Sequence, residues 1–463
     1  MRGRRERNLS SALPLTPGRD LKVKRHRKGG EDEYCSNDPW YRGGIFAAGL
    51  YVHERIYISA PLCAIIVAIT SGMNPLSAIV ESFLPGTGDY LAQWFGLFML
   101  GALFGKIMET SGAAASIAHS VTRLIGANNA CLAVILATSL MTYGGISLFV
   151  VVFVMYPFAV GLFQEADLPK RLLPGCIATG AFSFTAIALP GSPQNQNVLP
   201  TTYFGTTPTA APVLGLIVAA YILVASVLYM NWRAKQAKAR LEHFVPNEKD
   251  LAIMESNKNQ QLPNIAASLL PLLVVICTII FVGWDTMVCL LIGILMAIVL
   301  FFPRLKGNFK ETINQGALNS TAAIMNTSLT VGMGAVIKAS AAFTIITEAI
   351  DKLSQGNGLI YEFISINVLA GVTGSASGGL SIALTTLSDR LLATGINPEI
   401  LHRVAAISAN GLDSMPWCGA VMTMFAVCGL THKDSYKDVA VVNIAITMSG
   451  AVLAIVLGSM GVC

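Results

Sequence analysis

The chain has 463 residues, of which 54% are hydrophobic and only 12% are charged, and its formal net charge is +5. Soluble domains carry about 25% charged residues. This composition, with a mean hydropathy of +0.61, therefore excludes an ordinary soluble domain and predicts an all-α polytopic membrane protein. No nucleic-acid-binding motif accompanies the positive charge, and none of the nine cysteines forms a Cys-x-x-Cys pair. Neither a nucleic-acid partner nor a metal site or other cofactor is expected, and the cysteines are predicted to be small buried residues.

Residues 1–43 form a basic tail. The tail is too polar for a signal peptide. We expect it to be disordered and cytoplasmic, because cytoplasmic loops of membrane proteins are enriched in Lys and Arg. A first transmembrane repeat is predicted over residues 44–231, beginning with a short apolar stub, Gly44–Val52, and a better span, Ile56–Thr70.

Two ionisable residues lie at the end of the next span, Leu91–Met108. Lys106 and Glu109 are three residues apart, so they are predicted to pair on one helix face. The alternative is a lysine that extends to the membrane edge.

A glycine pair interrupts the following apolar stretch. Gly144 and Gly145 lie between the apolar arms Asn128–Thr142 and Gly144–Phe163, and glycine disfavours an uninterrupted helix. The sequence predicts either the tip of a hairpin that enters and leaves from one side or an ordinary tight turn between spans.

The most informative stretch is an uncharged polar segment, residues 189–207, between the apolar runs Leu172–Leu189 and Pro208–Met230. Each run is close to the roughly 20 residues that cross a bilayer. Prolines within the segment block a regular helix, and irregular backbone at membrane depth occurs only where protein or a water-filled cavity surrounds it. We therefore predict a re-entrant or unwound segment that lines a solute site. The alternative is a polar extramembrane loop, although such a loop would normally carry charge.

A charged connector, residues 232–262, divides the chain and is predicted to be cytoplasmic. The second transmembrane repeat is predicted over residues 263–463. It contains a second stretch of small residues, Gly371–Ser381, and an apolar segment that carries Asn410 and Asp413. Four further ionisable residues are expected at loop ends: Asp389, Arg390, His402 and His432.

The two halves repeat one order of short motifs at a roughly constant offset. The matching pairs are Gly105–Ala113 with Ala335–Phe343, Tyr143–Leu148 with Ser377–Ile382, and Ala178–Gly191 with Ala409–Gly419. Paired interrupted segments in the two halves of a polytopic chain are the best sequence indication of a transporter's solute site. The sequence therefore predicts two pseudo-symmetric, inverted repeats with re-entrant hairpins and broken helices.

The residues at these breaks suit a small hydroxylated acid anion. Glycine lets the backbone approach a ligand, helix N-termini present unpaired N–H groups to a carboxylate, and side-chain amides bind hydroxyl groups without a fixed charge. The predicted substrate-binding residues are Gly144, Gly145, Ser192, Gln194, Asn195, Gln196, Asn197, Thr201, Ser375, Ser377, Gly378 and Asn410.

Asp413 is the predicted proton-coupling residue. A carboxylate at membrane depth is costly and usually functional, and burial favours the protonated form of a carboxyl group. Asp413 could therefore load and release a proton. The alternatives are a structural partner of Arg403 and a helix N-cap near Pro416.

From about Arg55 to its C-terminus the chain resembles the gluconate permease-type (GntP) symporters. The similarity rests on the segments Leu189–Thr207, Leu103–Lys106, Thr142–Phe149 and Cys428–Lys433. The resemblance implies a transporter of the cytoplasmic membrane that takes up gluconate, hydroxybutyrate or a similar organic acid with protons. It also implies membership of the wider ion-transporter superfamily, whose homodimers move the solute by an elevator motion.

Two features depart from the family pattern. The family usually has a first transmembrane helix where this chain has its basic tail and stub. It also commonly shows Asp-x-x-Pro-His, whereas Trp417 stands four residues after Asp413 here, which bears on substrate and coupling. A sodium-coupled carboxylate symporter and a passive anion channel are the alternatives to proton coupling. No His-Glu-x-x-His or Gly-x-Ser-x-Gly motif indicates an enzyme.

Overall fold

The computed structural model describes residues 56–258, 261–354 and 356–463. Helices dominate this part of the chain and no strand occurs in it, which confirms the all-α class. The helices up to the connector are α1 (Ile56–Thr70), α2 (Pro75–Thr110), α3 (Ala113–Ile125), α4 (Ala130–Tyr143), α5 (Leu148–Glu165), α6 (Leu173–Ala181), α7 (Asn195–Phe204), α8 (Pro212–Ala239) and α9 (Glu248–Lys258). The later helices are α10 (Ile265–Val282), α11 (Thr286–Leu305), α12 (Phe309–Ala339), α13 (Ala341–Ser354), α14 (Gly358–Thr373), α15 (Ala376–Leu392), α16 (Pro398–Ala409), α17 (Gly419–Cys428) and α18 (His432–Ser459).

Six of the described helices are long and apolar enough to cross a membrane. The number is seven if a further pair, which bends by 96° between Ala113–Ile125 and Ala127–Tyr143, counts as one span. This confirms a polytopic membrane protein. The predicted basic tail, residues 1–43, and the stub Gly44–Val52 lie outside the described residues, and the predicted boundaries of the two repeats stay predictions.

Local chemistry sets several helix ends. Asparagine and aspartate side chains accept a hydrogen bond from a first-turn amide that the helix itself leaves unpaired. The residues that cap α10, α11, α14 and α16 in this way are Asn264, Asp285, Asn357 and Asn397. Two glycines in the left-handed region, Gly205 with φ 65° and Gly429 with φ 63°, follow α7 and α17 at corresponding points of the two halves.

One order of helices occurs in both halves of the chain. Helices α2 to α5 are followed by the short helices α6 and α7, just as α12 to α15 are followed by α16 and α17. The long helices α2 and α12 pack antiparallel, since Gly86 lies against Ala335 and Gly316 lies against Leu103. These features are expected of inverted repeats and support that prediction, which no further observation tests.

The connector is attached to the transmembrane helices through a buried carboxylate. Asp250 of α9 accepts hydrogen bonds from Lys170 Nζ at 2.6 and 2.9 Å, from the Tyr156 hydroxyl, and from the Asn247 N–H at 3.0 Å. Burial disfavours the charged form, but these hydrogen bonds and the Lys170 charge outweigh it and lower the pKa of Asp250 below its ordinary value. Helix α9 is therefore fixed to α5 and to the turn before α6.

Candidate functional site

The helices are broken at corresponding places in the two halves, and the breaks touch. The first break is residues 182–194, between α6 and α7, and the second is residues 410–418, between α16 and α17. The Asn410 side-chain amide donates a hydrogen bond to the Phe182 carbonyl. Most of the uncharged polar segment is buried in this region. This burial disfavours the alternative of a solvated loop.

The expectation that prolines block a regular helix was wrong for Asn195–Phe204, which forms α7 with Pro200 inside it, because a proline removes one backbone hydrogen bond without excluding a short helix. The predicted lining of a solute site stays a prediction.

The first break is held by a buried arginine. Arg403 of α16 is fully buried, and its guanidinium donates to the Asn197 side-chain oxygen at 2.7 Å. It also donates to backbone carbonyls, which are those of Ile187, Pro208 and Ala210. The Asn197 amide in turn donates to the Ser192 and Pro208 carbonyls, both at 2.8 Å. Carbonyl dipoles thus solvate the buried cation, and the cation fixes the loop.

A cavity of about 550 Å³ lies beside the first break. One side is formed by the glycine turn and the start of α7, and the other by amides of α12. The polar and glycine residues that line it are Gly101, Lys106, Glu109, Gly145, Ser147, Gln194, Asn195, Gln196, Gln315, Asn319 and Asn326. Lys106 Nζ and Glu109 Oε1 are 3.0 Å apart, which confirms the predicted pair.

A second cavity of about 180 Å³ lies beside the second break. Its polar lining includes Thr327, Thr330, Ser375, Ser377, Asn410, Asp413 and Ser414. The two cavities adjoin, because they share the lining residues Phe98, Leu148, Gln196, Ala323 and Asn326. Seven of the twelve predicted binding residues, and Asp413, therefore line two adjoining and mostly uncharged cavities.

Four helices begin at the walls of the joined cavities. Helix α5 starts after Ser147, α7 after Gln194, α15 after Ser375 and α17 after Cys418, and each of these four residues lines one of the cavities. A helix N-terminus carries unpaired N–H groups and a partial positive charge. Their convergence makes this space favourable for an anion.

Asp413 is the carboxylate of the second cavity. It is only 7% exposed, and its Oδ1 accepts from the Gly411 N–H at 2.9 Å and from the Ser414 hydroxyl at 3.2 Å. Arg403 is engaged with the first break instead, so the alternative that it is the structural partner of Asp413 is wrong. The physical reason is that the Ile187, Pro208 and Ala210 carbonyls and the Asn197 side-chain oxygen already accept the hydrogen bonds of the guanidinium.

Five of the predicted binding residues are not among the residues that line the cavities: Gly144, Ser192, Asn197, Thr201 and Gly378. A Cβ on Gly144 would overlap Leu272, so this glycine permits close helix packing. The Thr201 hydroxyl donates to the Val198 carbonyl at 2.7 Å, and the Gly378 N–H donates to Ser375 Oγ at 3.2 Å. The structure thus gives each of these three a local structural contact. The binding role of the whole predicted set stays a prediction.

Sequence reasoning missed the contribution of α12. None of the predicted substrate-binding residues lies on this helix. Gln315, Asn319, Asn326 and Thr330 are spaced by four, seven and four residues, and all four line the cavities. This helical spacing of uncharged polar residues on a membrane-spanning helix was the available signal.

Among the ionisable residues that we expected at loop ends, His402 does not lie at one. It is fully buried within α16, and its Nδ1 lies 2.6 Å from Thr206 Oγ1. That expectation was wrong because neighbouring elements enclose α16, and every residue from 400 to 410 is buried. His432 is the first residue of α18, and its Nε2 lies 2.8 Å from the Pro416 carbonyl. An imidazole is therefore present beside the second break, although Trp417 stands where the resembled family commonly has histidine.

An all-helical polytopic fold with a polar cavity between broken helices defines a membrane transporter. The protein-family model described as "GntP family permease" matches residues 50–283 of the chain. The uncharacterized transporter YxjC of Bacillus subtilis is 37% identical over 456 residues, covering 89% of this chain and 96% of that protein. The chain belongs to the GntP permease family, as its resemblance predicted, and is a multi-pass protein of the cytoplasmic membrane.

Two further relatives have more specific names. The high-affinity gluconate transporter of Escherichia coli is 24% identical over 450 residues, covering 89% of this chain and 97% of that protein. The D-serine transporter DsdX of Escherichia coli is 23% identical over 414 residues, covering 82% of this chain and 88% of that protein. The names of these relatives thus include both a hydroxy acid and an amino acid.

Proposed function

We propose that this protein is a secondary active transporter that takes up gluconate or a similar small hydroxy-acid anion together with protons. Alternating access by an elevator-type movement and a homodimeric assembly belong to the proposal. Its class, a membrane permease, follows from the family, and we propose that it is not an enzyme.

The observation that carries the proposal is the convergence of four helix N-termini on the joined cavities. The lining contains a paired Lys106 and Glu109 and a single further carboxyl, Asp413, and is otherwise uncharged. Oriented N–H groups favour a carboxylate without the desolvation cost of a buried lysine or arginine. Amide side chains such as Asn195 and Gln196 then suit the hydroxyl groups of the solute.

Asp413 is assigned the coupled proton. A charged carboxylate beside a bound anion is unfavourable in a site of low dielectric constant. Binding of the solute therefore favours the protonated carboxyl, and loss of the proton favours release of the solute. This reciprocal preference is the thermodynamic requirement for symport.

The test is uptake of labelled gluconate into proteoliposomes under an imposed pH gradient, with the interior alkaline. We expect saturable accumulation that a protonophore abolishes and that excess 3-hydroxybutyrate or another hydroxy acid inhibits. Accumulation that ignores the pH gradient but stops when choline replaces sodium would establish the sodium-coupled alternative. Equilibration without accumulation, with no saturation, would establish a passive channel. Inhibition by D-serine and not by hydroxy acids would indicate that the substrate is an amino acid and not a hydroxy acid.

A further inference from the structure

Helix α14 contains a carboxyl group that the solute site does not use. Glu362 is fully buried, and neither of its side-chain oxygens has a hydrogen-bond partner among the described residues. The hydroxyl of Ser365, one helical turn further along α14, is also buried and without a partner in the described part of the chain. Such groups are rare because each costs about 1–3 kcal/mol when left unsatisfied, and more when charged.

Several ionisable side chains belong to the elements that pack against α14. They are Glu348, Asp351 and Lys352 of α13, Asp389 and Arg390 of α15, Glu399, His402 and Arg403 of α16, and Asp413 of the second break. The part of α18 that packs there, residues 446–459, contains none.

None of the described members of this set gives Glu362 a hydrogen bond. Arg390 lies over the Tyr361 ring at 4.4 Å, Arg403 holds the first break, and His402 bonds to Thr206. An ionised Glu362 would therefore be a buried charge without a partner, which is very unfavourable. The neutral, protonated form is the one that this environment stabilises.

Helix α14 also holds the second break at two points. The Asn367 side-chain oxygen accepts from the Leu412 N–H at 3.3 Å, and the Gly371 carbonyl accepts from Trp417 Nε1 at 2.9 Å. Its C-cap, Gly374, lines the second cavity. Glu362 is 12 residues before that glycine, or roughly 18 Å along a helix that rises 1.5 Å per residue. A change in the packing of α14 at Glu362 would thus be transmitted to the residues beside Asp413.

We propose that Glu362 is a second proton-binding site of the transporter, separate from the solute cavity and coupled to the second break through α14. This inference rests on the proposed proton-coupled function. The protonated side chain is compatible with the observed packing of α14. Loss of the proton creates a buried charge that is relieved only when α14 shifts and water or a new partner reaches the carboxylate, so the two protonation states favour different conformations.

The first test is spectroscopic and needs no transport. Infrared spectra of the purified full chain should show carboxylic-acid C=O stretching absorption at neutral pH, and the part of it that belongs to Glu362 should be lost in Glu362→Gln, whatever Asp413 contributes. The exposed neighbour Glu348, on α13, supplies the matched control, and Glu348→Gln should leave that band unchanged. A Glu362→Gln spectrum that retains the whole carboxylic-acid band would overturn the inference, whatever the transported solute.

The second test measures coupling in proteoliposomes with labelled gluconate. Glu362→Gln should keep at least half of the wild-type exchange of internal for external gluconate and should lose at least tenfold in accumulation driven by a pH gradient. Glu362→Asp, which keeps a titratable group, should restore part of that accumulation. Wild-type accumulation by Glu362→Gln would overturn the inference. A wild-type protein that ignores the pH gradient would instead overturn the proposed function, and the infrared band would still decide whether Glu362 holds a proton.

Discussion

The two breaks in the helices use their polar groups in different ways. At the first break, the Asn197 amide of α7 donates to the Ser192 and Pro208 carbonyls. Arg403 donates to the Ile187 carbonyl of the break and to the Asn197 side-chain oxygen. In the second break, Asp413 and Asn410 line a cavity, and Asn410 Oδ1 has no hydrogen-bond partner among the described residues. The polar side chains at the two breaks are therefore engaged differently.

The difference teaches that the polar backbone groups of an unwound segment within a membrane protein must first find hydrogen-bond partners in the protein before the segment can bind a solute. The first break obtains that solvation from a charged residue of the other half of the chain, Arg403. The second break is held by neutral contacts from α14, which leaves its carboxyl facing the cavity. We interpret the first break as the rigid frame and the second as the part that changes its proton occupancy.

The largest effect is expected from removing the arginine of the first break. Arg403→Met should prevent accumulation of folded protein in the membrane, because three buried acceptors, the Ile187 and Ala210 carbonyls and the Asn197 side-chain oxygen, would lose the guanidinium at about 1–3 kcal/mol each. Membrane expression and size-exclusion behaviour in detergent measure this. Arg403→Lys, which keeps the charge, should recover part of the folded yield. A monodisperse Arg403→Met protein with wild-type yield would contradict the assignment of the first break as a frame.

The second-largest effect is expected from substitutions in the cavities, which should abolish transport but leave folding intact. Asp413→Asn should abolish uptake of labelled gluconate, because the carboxyl that exchanges the proton is gone. Asn195→Ala, at the start of α7, should do the same by removing a contact to the solute. Expression of both variants should match the wild type. Wild-type uptake by both variants would contradict the assignment of the solute site to these cavities.

A smaller effect is expected from the connector, which serves as a reference away from both breaks. Asp250→Asn should destabilise the folded protein by about 3–5 kcal/mol, because Lys170 would be left as a buried charge without its partner. Thermal unfolding in detergent at pH 7 measures this. Uptake per folded molecule should stay within about twofold of the wild type, since Asp250 lies in the connector.

The ion pair of Asp250 with Lys170 predicts a pH dependence of the stability of the folded protein. The pKa of Asp250 is lower in the folded protein than its ordinary value, so its stabilisation is complete above the unfolded pKa of about 4 and disappears as pH falls through the folded value. The difference in melting temperature between the wild type and Asp250→Asn should therefore shrink on acidification below about pH 4. A difference that stays constant down to pH 2 would show that ionisation of Asp250 does not stabilise the fold.

The smallest effect concerns one hydrogen bond of the second break. Trp417→Phe removes the bond from Trp417 Nε1 to the Gly371 carbonyl and should cost about 1 kcal/mol of stability. Because this bond connects α14 to the break, pH-driven uptake should fall more than exchange of internal for external gluconate. Equal losses in the two assays would indicate a purely structural contact.

The membrane class and part of the first break could be predicted from the sequence because uncharged runs and prolines act locally, although Pro200 lies inside α7. The pairing of Lys106 with Glu109 was predictable for the same reason. The partner of Arg403 and the burial of Glu362 were not, because both depend on which helices become neighbours. The docking of Asp250 on Lys170, 80 residues earlier, was hidden by a connector whose composition is typical of a solvated loop.

The close contact of α2 with α12 limits what can move in this molecule. A Cβ added to Gly86 would come within 2.7 Å of the Ala335 Cβ, and one added to Gly316 within 3.0 Å of Leu103. Surfaces in such tight register resist sliding and separation, since either would open voids along their whole length. We therefore expect α2 and α12 to move together as one rigid unit. A bulkier residue at their contact would impair transport although it does not touch the solute.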